Sequence, residues 1–156
     1  MIPKIDQIDD ESRKVILPLL PRVAVEIVGL IGLEASLVLF VQFGGVVWRF
    51  TRGKAKFGLA ARRFDEMVEV VGRENALRLA DAFGHDDVYI PTCSVARRAL
   101  RHRSMVAEFD ELTQTVSARE AVNRIAHRYN MSTRSIECAI SGKAKSKQER
   151  PKGEGQ

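Results

Sequence analysis

The chain has 156 residues, 25 Lys/Arg against 20 Asp/Glu and a pI near 9.5, which allows one hydrophobic core or two small ones. Its two cysteines, Cys93 and Cys138, are too few for a disulfide framework or a thiolate zinc site; with no secretory leader ahead of them, they predict a reducing cytoplasm. Residues 1–91 hold 12 basic and 13 acidic side chains, and residues 92–156 hold 13 and 7, so a polyanionic partner is expected on the C-terminal side.

Residues 1–12 are polar, and Asp9, Asp10 and Glu11 suit a first helical turn. Arg13 to Leu20 forms a short amphipathic piece carrying Val15, Ile16, Leu19 and Leu20, and Pro18 and Pro21 prevent a long uninterrupted helix. Val23 to Val47 is strongly apolar, with Glu26, Glu34 and Gln42 as its strongly polar side chains. A carboxylate near mid-bilayer costs about 2.5–3.5 kcal/mol on insertion scales. Glu34 stands near the middle of the run and four glycines punctuate it, so the prediction is a buried helical hairpin and no membrane partner.

From Glu26 an internal repeat runs at an offset of 40 residues, with eight of 26 aligned pairs identical. Glu26-Ile27-Val28 lies over Glu66-Met67-Val68, Gly32-Leu33-Glu34 over Gly72-Arg73-Glu74, and Phe43-Gly44 over Phe83-Gly84. The reading is an assembly module over 13–91, with copies at about 22–51 and 62–91, each a helix, short turn, helix, Gly turn and strand. In the second copy Phe64, Met67, Val68 and Val71 make one apolar stripe, and Ala76, Leu79, Ala80 and Phe83 another. Such a hairpin cannot bury both stripes alone. Its partner comes from the first copy, the natural centre of the core, or from a second subunit. Between the copies Arg49, Arg52, Lys54, Lys56, Arg62 and Arg63 surround Gly53 and Gly58, either as a solvated connector or as a phosphate-contacting segment. Gly84 suits a helix C-cap, Val88-Tyr89-Ile90 a strand, and Pro91 its end.

Ser94 can cap a helix running to about Leu112, with Val95, Ala99, Val106 and Phe109 inward. Arg97, Arg98, Arg101 and Arg103 cluster on one half of it, and Arg97 and Arg101 are candidates to lie along a phosphate backbone. Ser117-Ala118-Arg119-Glu120 fits a reciprocal capping box, and Val122, Ile125, Ala126 and Tyr129 then share one face. Asn130 tolerates the left-handed turn, and Ser132 caps a second helix with Ile136, Ala139 and Ile140 inward. Small Ala126 admits the second helix and Met131 fills the corner, the spacing of a helix-turn-helix. Thr133, Arg134, Glu137 and Ser141 point outward, with Cys138 at the edge, and Arg134 is the candidate for a bidentate guanine contact. The helix-turn-helix domain is read as 92–141. A basic tail, 142–156, with Lys143, Lys145, Lys147, Arg150 and Lys152, is expected to be disordered and to add affinity without sequence choice.

Val88-Tyr89-Ile90-Pro91 following Phe83-Gly84, then a helix, then Ile125-Ala126-His127-Arg128-Tyr129 entering the turn, resembles the Mor/C family of phage middle-operon transcription activators over about residues 60–141. The resemblance implies a helical dimerisation module whose strands pair across the dimer, a C-terminal helix-turn-helix in each subunit, and activation by recruiting RNA polymerase. It makes Tyr89 a possible groove contact and the helix from Ser132 the major-groove reader. Two departures are the acidic pair Asp86-Asp87, which would repel phosphates beside the strand, and the duplicated first half, which could replace one subunit's contribution.

The fold expected is therefore mostly α, a helical assembly module with short β-strands followed by a C-terminal helix-turn-helix. The function expected is a sequence-specific DNA-binding regulator, an activator of phage or prophage genes in a bacterial host. The DNA contacts are assigned to Ser132, Thr133, Arg134, Glu137, Ser141, Arg128, Tyr89, Arg97, Arg101, Lys143 and Lys145. Double-stranded DNA and RNA polymerase are the partners, and the assembly is a homodimer or a monomer with an intrachain pseudo-dimer. The alternative is a protein-interaction module that binds no DNA. No catalytic residue, metal or cofactor is expected: His85-Asp86-Asp87 reads as a surface turn, and Cys93 lacks a placed base.

Overall fold

In the computed structural model, residues 8–84 and 86–142 are described. They are mostly α-helical, with one two-stranded antiparallel ribbon. By spatial proximity they fall into two compact units that part between residues 99 and 100, inside a helix. The division expected after Pro91 lies upstream of that point, because Cys93 and Ala96 are buried side chains of the first unit.

In the first unit, α1 (Asp10–Ile16) opens on Asp9, whose carboxylate accepts from the Ser12 N–H at 3.1 Å. Pro18 then tightens the chain into a single 3-10 turn at Leu17–Leu19 before α2 (Arg22–Ile31) begins. Of the amphipathic piece, Ile16 and Leu20 are buried, while Val15 and Leu19 face solvent. Gly32 separates α2 from α3 (Leu33–Phe43), and Glu34 pairs with Arg13 of α1. No described helix is long and apolar enough to cross a membrane.

β1 (Val47–Arg49), α4 (Leu59–Val71), α5 (Arg73–Phe83) and β2 (Asp87–Tyr89) follow. The offset of 40 carries α3 onto α5 and β1 onto β2 residue for residue. It also carries the buried positions of α2 onto those of α4: Ala24 onto Phe64, Ile27 onto Met67, Ile31 onto Val71. Ser36, Leu39 and Phe40 fall likewise on the buried Ala76, Leu79 and Ala80. Gly32 and Gly72 share φ 85° with ψ 164° and 158°, a conformation that only glycine adopts without strain.

Besides packing within each hairpin, α2 packs on α5 and α3 on α4, an exchange that a pseudo-twofold relation between the hairpins would produce. The ribbon has the same relation, because Trp48 pairs with Val88, the residue 40 positions on, between the pairs Val47–Tyr89 and Arg49–Asp87. Sizes are traded at equivalent positions: Ala24 stands opposite Phe64 in the repeat and Phe40 opposite Ala80. That is how a close-packed interior keeps its volume without identical residues. The sequence predicted the second strand at Val88–Ile90. The paired residues begin one earlier, and Ile90 is still bonded, donating to Val46 O at 3.0 Å while its own carbonyl accepts from Gly45 at 2.7 Å.

α6 (Ser94–Leu112), α7 (Ala118–Tyr129) and α8 (Thr133–Ser141) complete the chain. The first helical bond of α6 runs from the Arg97 N–H to Cys93 O, so Cys93, at φ 49°, opens the helix in place of Ser94. Its inward face is also shifted from expectation. Val106 is buried and Phe109 packs on the core as expected, but Val95 is 58% exposed and Ala99 half-buried, and Ala96, Leu100 and Met105 are buried instead.

Candidate nucleic-acid interface

The second unit is built around α7 and α8. Their core is Met105, Val122, Ile125, Ala126 and Ile136, with Phe109, Leu112, Tyr129, Met131, Ala139 and Ile140 packed against it. The α6–α7 connection turns at residues 113–116, where the Val116 and Thr115 amides donate to Leu112 O at 2.9 and 3.0 Å. Ser117 then caps α7 by accepting from the Glu120 N–H at 3.2 Å. The other half of the predicted capping box is replaced: the Glu120 carboxylate takes the Arg124 guanidinium at 2.9 Å, a better partner one turn on.

Asn130 holds the left-handed conformation, φ 51° and ψ 49°, and ends α7. The next amide, Met131, donates to Ala126 O at 2.9 Å, so the chain reverses over the small side chain. Ser132 caps α8, accepting from the Ser135 N–H at 3.1 Å, with the two hydroxyls 2.8 Å apart. Glu108 of α6 braces the end of α7. It pairs with Arg128 at 2.6 Å, its own side chain only 15% exposed, and takes a hydrogen bond from the Tyr129 hydroxyl. Burial first, and the Glu108 charge second, raise the Tyr129 phenol above its usual range.

Ile136 is the one α8 side chain that is fully buried. Arg134 and Cys138 each stand two residues from it, about 160° around the helix, and both are exposed. Thr133, Glu137 and Ser141 form an exposed stripe on one side of them, one turn apart, and Ser141 donates to Glu137 O. This stripe shares a shallow groove with Arg119 and Asn123 of α7, over Val122. Arg134 lies on the other side, with His102 of α6 and Ser132. Among the described residues nothing covers the outer surface of α8.

The sequence-predicted contact residues are distributed unevenly. Ser132, Thr133, Arg134, Glu137 and Ser141 lie together along α8. Arg128 is held by Glu108. Arg97 and Arg101 are half-buried along α6, and their Nε atoms are buried without a hydrogen-bond partner among the described residues. Tyr89 is 56% exposed on the ribbon of the first unit, paired with Val47. Lys143 and Lys145 lie outside the described residues. Arg119, Asn123 and His102, which line the two grooves, were not among the predicted contacts. The first two were legible as an i, i+4 pair on the outward face of α7, whereas His102 carries no sequence signal of its place.

The acidic pair beside the ribbon is half neutralised. Asp87 accepts two bonds from Arg49 across the strands, at 2.7 and 3.0 Å, which hold its carboxyl below the usual carboxylate range. Cys93 is a poor nucleophile, because burial pushes its thiol up to about 11 against the weaker pull of Arg97. His85 lies outside the described residues, and among those described no cluster of three or more His, Cys, Asp or Glu could hold a metal.

Residues 100–142 carry six arginines and no lysine against five acids. Arg124 and Arg128 are spent on Glu120 and Glu108. The described part of the unit, residues 100–142, therefore carries a net charge of only +1, and the five Lys/Arg that follow it lie outside the described residues. No curated protein and no solved structure matches the chain. A family model described as the Mor transcription activator family matches residues 52–154.

Proposed function

The chain belongs to the Mor transcription activator family, and we propose that it binds duplex DNA with sequence choice and activates transcription by recruiting RNA polymerase. The observation that carries this reading is α8: one fully buried side chain anchors it, and Thr133, Arg134, Glu137 and Ser141 are left outward on a capped helix beyond a tight left-handed turn. A helix so placed can enter a major groove and present side chains to base edges. Arg134, exposed and without a partner among the described residues, is the guanine contact, since a guanidinium fork matches guanine O6 and N7. Thr133 and Glu137 read neighbouring bases, and Arg119 and Asn123 position the unit on the backbone. The helix-turn-helix is thus the working part of the chain, in the cytoplasm of a bacterial host carrying phage or prophage genes.

The first hairpin and strand take the place of a second subunit. Support comes from the ribbon pairing within one chain and from the α2–α5 and α3–α4 packing. On this reading one chain is a complete assembly module with a single reading head, and it occupies one asymmetric site.

In transcription with a bacterial RNA polymerase, added protein should raise output from a promoter carrying its preferred duplex, and Arg134→Ala should not. Sedimentation of the complex should give one chain per site. Absence of any preferred duplex defeats the DNA-reading proposal, and two chains on a palindrome defeats the single-head proposal.

A further inference from the structure

Phosphate contacts supply most non-specific affinity for DNA, and the described part of the reading unit, residues 100–142, holds only six arginines against five acids. Among the described residues a second, denser basic stretch lies in the first unit. Residues 52–63 contain Arg52, Lys54, Lys56, Arg62 and Arg63 and no acid.

The base of this segment is pinned. Arg52 pairs with Asp81 at 3.0 Å, and the Thr51 hydroxyl donates to Ala60 O at 3.2 Å. Gly53, at φ 66°, lies so close to the Phe64 ring that a Cβ there would come within 2.5 Å of it. Arg63 is also engaged, its guanidinium 5.7 Å from the centre of the Trp48 ring. Lys54, Lys56 and Arg62 are exposed, with no partner among the described residues. Between them Phe57 is 89% exposed, the most exposed large apolar side chain described.

A solvated connector needs neither an anchored base nor a bare phenyl group beside lysines.

We propose that residues 52–63 form a second DNA-contact element. Lys54, Lys56 and Arg62 rest on phosphates, and Phe57 seats against the sugar and base edges of a groove, as apolar side chains do in other DNA-bending proteins. The element adds affinity and carries no sequence choice. This inference rests on the DNA-binding reading above.

The test uses the full chain on a duplex it has selected from a random pool and on an unrelated duplex of equal length. Affinity is measured against salt concentration. Each phosphate contact adds about 0.9 to the slope of log affinity on log salt, so Lys54→Ala/Lys56→Ala should make the slope shallower by about two on both duplexes. The ratio of the two affinities should not change. Phe57→Ala should weaken binding at an unaltered slope, and equal affinity there removes the apolar contact from the proposal. Arg134→Ala should change the ratio and leave the lysine-dependent slope in place. An unaltered slope in the lysine variant, with wild-type binding intact, overturns the inference alone. A wild-type chain that holds neither duplex at low salt overturns the DNA-binding reading and this inference together.

Discussion

Replacing Ile136 by Ala should release α8 from its unit and leave the repeat module folded. Ile136 is fully buried, and the other apolar side chains of α8, Ala139 and Ile140, are only partly so. Removing a buried Ile to Ala costs about 2–5 kcal/mol. A compact unit of roughly forty residues holds about 2–6 kcal/mol in total at the usual stability per residue. The two magnitudes are comparable, and a nine-residue helix does not persist in water once undocked. Segment-resolved hydrogen exchange is the assay. Amides of α8 should exchange at close to the unprotected rate, while α3 and α5, whose buried Leu39 and Leu79 belong to the other unit, keep wild-type protection. Ile136→Val, at about 0.5–1.5 kcal/mol, should give a partial loss. Full protection of α8 in the Ala variant, or equal loss in α3, would refute the reasoning.

Three further outcomes follow from particular residues. Gly32→Ala and Gly72→Ala should each cost about 1–3 kcal/mol in chemical denaturation, the strain of a positive-φ extended backbone, since a Cβ at either position meets no atom within 4 Å; an effect below a few tenths would contradict the geometry. The Asp87 carboxyl is lowered by Arg49, so its contribution is present above the unfolded value and lost as pH falls through the lowered folded one. Asp87→Asn should therefore flatten that part of the acid-stability profile, and an unchanged profile would deny the pairing. In the native protein one thiol, Cys138, should react quickly with a maleimide near neutral pH. Cys93, buried and raised to about 11, should react only after unfolding, and two fast thiols would show that α6 opens readily at its start.

Much of this architecture was legible in the sequence because it rests on spacing. The offset of 40 in Gly32/Gly72, Leu39/Leu79 and Phe43/Phe83 reappears as equal helices and paired strands. The Ser117 and Ser132 caps and the Asn130 turn were legible for the same reason, since each depends on one residue's local chemistry. What spacing could not give were side chains whose partners lie far along the chain. Arg128 pairs with Glu108, twenty positions upstream, a partner that the spacing around Arg128 does not reveal. Val95 and Ala99 were placed inward on a helix that offers two apolar stripes, and burial favours the neighbouring one. Arg97 and Arg101, expected along a phosphate backbone, are half-buried with their Nε atoms unpaired among the described residues, a placement that spacing does not foretell. In each case a helical period fixes which residues share a face, but only packing decides which face turns inward.

Selection from a random pool of duplexes, run in parallel with the wild-type chain and Arg134→Ala, tests the reading head most directly. The wild type should enrich one asymmetric motif containing a guanine, and the variant should lose preference at that base by a factor equivalent to about 1–3 kcal/mol while still enriching the flanking positions. A pool that emerges random with the wild type, or a motif identical for both proteins, would contradict it.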